Sequence, residues 1–60
     1  MKFLVEIECS NNAFQPDPQP EIYAVLAALA DMVADSGILT GTLKDGNGNR
    51  CGKFWTEDGE

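Results

Sequence analysis

Pro20-Glu21-Ile22-Tyr23-Ala24-Val25-Leu26-Ala27-Ala28-Leu29-Ala30-Asp31-Met32-Val33-Ala34-Asp35, closed by Ser36-Gly37, is the stretch around which the rest of the chain arranges itself. Proline suits a first helical position, where its missing N–H costs nothing, and Glu21 sets negative charge against the positive end of the macrodipole. Gly37 can take the left-handed conformation that closes a helix. A helix is therefore expected over residues 20–35. At about 100° per residue, Ile22, Val25, Leu26, Leu29, Met32 and Val33 fall within an arc of roughly 120°, wide enough to pack on a sheet. Glu21, Asp31 and Asp35 line a second face with Ala24 and Ala28. Tyr23, Ala27, Ala30 and Ala34 form a smooth third face. Asp31 and Asp35 oppose the macrodipole at about 0.3 to 1 kcal/mol each when exposed, a local inconsistency of the kind found on functional surfaces and on plainly solvated ones.

On the N-terminal side of the helix, residues 2–9 alternate. Phe3, Val5, Ile7 and Cys9 share one face and Leu4, Glu6 and Glu8 the other, the period of a half-buried strand. Residues 10–19 hold prolines, asparagines and Asp17, which favour turns over regular pairing, with Phe14 as an anchor into the core. On the C-terminal side, residues 38–44 and 50–56 read as a hairpin around Asp45-Gly46-Asn47-Gly48-Asn49, and residues 57–60 as an acidic tail. Strand, helix and hairpin make an α+β fold, β-α-β-β. Its three-stranded antiparallel sheet carries the helix on one face, and strand three lies between the other two if the helix returns the chain to the same end of the sheet.

Sixty residues allow one domain with a small core of about 3 to 5 kcal/mol, so self-association is expected to add to it. Four Lys and Arg against ten Asp and Glu give a net charge of -6, which repels phosphate backbones and argues against nucleic acid as a partner. Such a surface suits a basic protein partner, or serves solubility alone. Glu6 and Glu8 interrupt the apolar start before it could form a signal peptide or a membrane span, so a cytoplasmic protein is expected. Cys9 and Cys51 then read as reduced, buried hydrophobes.

Histidine is absent, no Gly-rich phosphate loop opens a helix, and no serine or cysteine stands beside a base in a recognisable motif. Catalysis, cofactor and metal are accordingly not expected. The nearest approach to a metal motif is Asp45-Gly46-Asn47-Gly48-Asn49, which opens like a calcium loop but continues with Arg50 at the sixth position and Thr56 at the twelfth, where glycine and glutamate belong. A tight turn needs the same residues, and the calcium-binding module remains a lesser alternative.

One helix covers one sheet face, so the other is left to water or a partner. That open face is expected to carry Leu4, Glu6 and Glu8 together with one of the neighbours Phe54 and Trp55, an aromatic anchor amid charge. With Tyr23, Asp31 and Asp35 on the helix, these make the candidate protein-binding residues. A homodimer is expected through the open face, an edge strand, or the Tyr23-Ala27-Ala30-Ala34 face.

The MKFLVEIE start, the loop with Asn12-Ala13-Phe14, the EIYAVLAALADMV helix and above all Leu43-x-Asp45-x-Asn47-Gly48-Asn49-Arg50, followed by Cys51-Gly52 and Trp55, resemble small phage and prophage accessory proteins over nearly the whole chain. In that group Val-Gly tends to follow the arginine, so cysteine replaces valine here. The resemblance implies no catalytic residue. It implies a phage-encoded protein in the host cytoplasm that directly binds and inhibits a host anti-phage defence protein, such as a restriction, CRISPR or nuclease-helicase complex. A structural or regulatory phage protein acting through self-association is the alternative.

Overall fold

The computed structural model describes residues 1–58. The chain runs β1 (Lys2–Ile7), a 3-10 turn (Asn12–Phe14), α1 (Gln19–Ser36), β2 (Gly41–Lys44) and β3 (Arg50–Glu57). The strands form one antiparallel sheet in the order β1-β3-β2, with the last strand in the centre. This is the expected α+β architecture, and no helix among the described residues is long and apolar enough to cross a membrane.

The helix begins and ends as its residues dictate. Pro18 stands at the N-cap, its carbonyl accepts from the N–H of Ile22 at 2.9 Å, and Glu21 lies in the first turn. At the other end Gly37 adopts φ 66° and donates to the carbonyl of Val33 at 3.0 Å, the left-handed closure a side chain would strain. Val25 and Leu29 are buried, and Ile22, Met32 and Val33 pack partly against the core. Leu26, expected in the core, is 43% exposed, because it lies at the rim of the apolar arc.

The core joins Phe14, Val25, Leu29, Leu43, Cys51 and Phe54. Phe14 reaches it from the 3-10 turn, which Asn11 caps by accepting the N–H of Ala13 at 2.9 Å. Cys51 is buried as expected and Cys9 half-buried, both as free thiols.

Four expectations need correction. β1 ends at Ile7 instead of residue 9, although the N–H of Glu8 still donates to the carbonyl of Cys51 at 2.7 Å. Phe3 and Val5 face the helix side, yet stay 41% and 38% exposed. The helix packs chiefly on the 3-10 turn and β2 and leaves edge strand β1 largely uncovered. Residues 38–40 are not strand: a chain leaving the helix layer at Gly37 must descend about 10 Å to the sheet, which three residues at about 3.3 Å each just span. Conversely, Glu57 belongs to β3 and not to a tail, of which residues 59 and 60 lie outside the described residues.

Candidate functional site

Residues directly opposite in an antiparallel pair share a face. β3 pairs Glu57 with Lys2, Trp55 with Leu4 and Lys53 with Glu6 on one side, and Lys53 with Thr42 and Arg50 with Lys44 on the other. Alternation sends Phe54, Val5, Gly41 and Leu43 toward the helix. The open face therefore carries Lys2, Leu4 and Glu6, then Lys53, Trp55 and Glu57, then Thr42, Lys44 and Arg50. Every Lys and Arg of the chain lies there. Asp17, Glu21, Asp31, Asp35 and Asp45 lie in the loop, the helix and the hairpin turn. The open face thus gathers all four cations, interleaved with the carboxylates of Glu6, Glu8 and Glu57, while Asp17, Glu21, Asp31, Asp35 and Asp45 lie off it.

A β-bulge makes this possible. Strict alternation back from Phe54 would turn Cys51 outward and Arg50 inward. Instead Leu43 pairs with Gly52 and Lys44 with Arg50, leaving Cys51 as an extra residue. Cys51 turns into the core and Arg50 outward beside Lys44. Gly52 is the residue that permits it, since a Cβ there would stand 2.0 Å from the carbonyl oxygen of Glu6 on β1. An isolated glycine inside a strand is a bulge signal, and reading it would have placed Arg50 in the site.

Trp55 sits half-buried on this face, opposite Leu4. Its indole Nε1 donates to Oε2 of Glu57 at 3.2 Å, and the Lys53 ammonium lies 5.1 Å from the ring centroid, within cation–π reach. Two shallow depressions flank Lys53, sharing it and Arg50: one of about 320 Å³ is walled by Glu6 and Glu8, the other of about 370 Å³ by Thr42 and Trp55. Both are open troughs and not enclosed chambers.

The candidate residues separate into two surfaces. Leu4, Glu6, Glu8 and Trp55 belong to the open face, while Tyr23, Asp31 and Asp35 are exposed on the helix on the opposite side of the sheet, with Tyr23 75% exposed. The alternative between Phe54 and Trp55 resolves in favour of Trp55. Phe54, buried to 1%, is a core residue and not a contact surface, because its ring fills the space over Gly41. Asp45, the first residue of the calcium-like stretch, spends its oxygens inside the protein: Oδ1 accepts the N–H groups of Asn47 and Asn49 at 2.9 and 3.0 Å, and Oδ2 accepts the Asn11 amide at 2.5 Å. These bonds give Asp45 the part of a turn residue, and Gly48 at φ 82° supplies the left-handed conformation of the same turn.

In comparisons with protein-family models, curated proteins and solved structures, nothing matched the chain.

Proposed function

We propose that this protein is a binding module which acts on another protein through the open face of its sheet, with Trp55 and Leu4 as the apolar centre and Lys44, Arg50 and Lys53 as the partners of its target's carboxylates. The observation that carries the reading is the distribution of charge: a chain of net charge -6 that places all four cations, interleaved with Glu6, Glu8 and Glu57, on the uncovered sheet face that holds its one tryptophan. Aromatic residues and arginine are the side chains most enriched at interface centres, and complementary charge accelerates encounter. The acidic helix then faces away from the partner and keeps the complex soluble. Given the resemblance of the Leu43–Arg50 hairpin to phage accessory proteins, the specific form we propose is a phage-encoded protein that occupies and inhibits a host anti-phage defence protein.

The experiment is affinity capture of the tagged protein from a bacterial lysate, run in parallel with Trp55→Ala and with Asp31→Lys/Asp35→Lys. Recovery of a defence protein that Trp55→Ala loses and the helix variant keeps supports the reading. Recovery lost only with the helix variant moves the site to the helix. Recovery of no partner from a host carrying such systems overturns the inhibitory form.

A further inference from the structure

The two sheet edges differ. β2 spans Gly41–Lys44, lies beneath the helix and ends on lysine, the usual protections of an edge. β1 spans Lys2–Ile7, carries half-exposed Phe3 and Val5, and is largely uncovered. Its hydrogen-bonding groups alternate in direction. The N–H of Glu8 donates to Cys51 and the carbonyl of Glu6 closes on Gly52, so even-numbered residues address β3 and Phe3, Val5 and Ile7 present theirs outward.

We infer that the β1 edge pairs antiparallel with β1 of a second copy about a two-fold axis at Leu4, making one continuous six-stranded sheet. The register follows from the residues. With Leu4 opposite Leu4 of the second copy, Phe3 meets Val5, both with outward N–H and C=O groups, and Lys2 meets Glu6. The rungs then extend across the whole sheet. One reads Trp55, Leu4, Leu4, Trp55, an unbroken apolar row on the open face. The next reads Lys53, Glu6, Lys2, Glu57, alternating in sign from strand to strand. Sliding by two residues in either direction puts Leu4 opposite Lys2 or Glu6 and breaks both rows. An isologous contact requires such self-complementarity, and β1 has it in charge, in apolar pairing and in hydrogen-bond direction at one register. This contact uses the strand edge, so it stands apart from whichever partner the open face takes. It also enlarges that face, placing the two central strands β3 about 14 Å apart on one surface.

The test is sedimentation equilibrium of the full chain up to about 1 mM, with Lys2→Glu, Glu6→Lys and the double exchange, each checked for folding by circular dichroism. A dimer is expected, weakened about tenfold by either single exchange, which sets like charges opposite at two symmetric places, and restored by the double. A second measurement fixes the register independently. In a background with Cys9→Ala and Cys51→Val, Leu4→Cys should oxidise to a linked dimer, since paired residues of this kind have Cα atoms about 4.5 Å apart. Lys2→Cys should not, the two copies of that position lying about 13 Å apart along the strands. A monomer at all concentrations, a double exchange no better than the singles, or Lys2→Cys linking as readily as Leu4→Cys would overturn the inference.

Discussion

The side-chain amide of Asn11 donates to Oδ2 of Asp45 at 2.5 Å, across 34 positions of sequence, and so ties the loop after β1 to the hairpin turn. The same Asn11 caps the 3-10 turn that delivers Phe14 to the core, and the neighbouring Gly46 N–H donates to Oε2 of Glu21 at 2.6 Å, bringing the helix start into the same corner. Asn11→Ala removes a hydrogen bond to a charged group and a cap together. It should cost about 1.5 kcal/mol and lower the melting temperature by roughly 6 to 12 °C, read by thermal circular dichroism. A shift under about 2 °C would mean the corner is held by Phe14 and the Glu21–Gly46 bond without Asn11.

Asp45 also sets how the fold responds to acid. Its burial favours the neutral form, but the N–H of Asn49, the Asn11 amide and the N–H groups of Asn47 and Gly48 together hold its pKa below the ordinary 3.8. A group whose pKa is lower folded than unfolded contributes stability that is present above the unfolded value and lost as pH falls through the folded one. Denaturant titrations between about pH 5 and 2 should therefore show a decline that is shallower in Asp45→Asn, whose amide cannot titrate. Parallel curves would remove Asp45 from the acid response.

Gly52 is placed under a different constraint, since the position of an added Cβ coincides with a β1 carbonyl and no rotamer relieves backbone against backbone. Gly52→Ala should cost more than about 2 kcal/mol, a large part of the roughly 3 to 5 kcal/mol such a small core supplies. Loss of dispersed amide resonances at 25 °C is the expected readout. A well-dispersed spectrum with a melting temperature near wild type would show that β1 can move aside.

What the sequence disclosed and withheld follows from the range of the interactions. Helix bounds, the Gly37 cap, the Phe14 anchor and the inward Val25 and Leu29 were legible because periodicity and caps are written in neighbouring residues. Leu26, Phe3 and Val5 were placed too deep. How far a helix shifts across a sheet is decided by pieces distant in sequence, here Phe14 and the 3-10 turn. The site was half legible: alternation grouped Leu4, Glu6, Glu8 and one aromatic. The cationic side of the face depended on pairing register and on one bulge, and net charge, being a sum, concealed where its few positive terms converge.

Cys51 shows the bulge in chemical terms. Burial pushes its thiol above the ordinary 9.0, and the carboxylate of Asp45, the Cys9 thiol and Glu21 push the same way, disfavouring a thiolate beside them. Cys9 is only half-buried. Thiol labelling at pH 8 should therefore be biphasic, with Cys51 roughly a hundredfold or more slower than Cys9 because it reacts through opening of the domain. Labelling of both at one rate would place Cys51 outside the core and with it undo the outward position of Arg50.

The placement of that arginine leads to the functional prediction. Glu6 and Glu8 belong to one surface and Asp31 and Asp35 to its reverse, so charge reversals that would act alike on an evenly acidic protein should act differently here. Against a protein partner obtained by capture, Arg50→Glu/Lys53→Glu should slow association by about tenfold or more at low salt, with the deficit shrinking as ionic strength rises, since steering acts mainly on the on-rate and is screened. Asp31→Lys/Asp35→Lys should change it by less than about twofold at moderate salt, because the sheet and core stand between those residues and the contact. The same pair of variants decides the sign of the target. If reversing the sheet cations accelerates binding, the target is basic and meets Glu6, Glu8 and Glu57. If it slows binding, the partner brings carboxylates to Lys44, Arg50 and Lys53, the outcome expected of the proposed function.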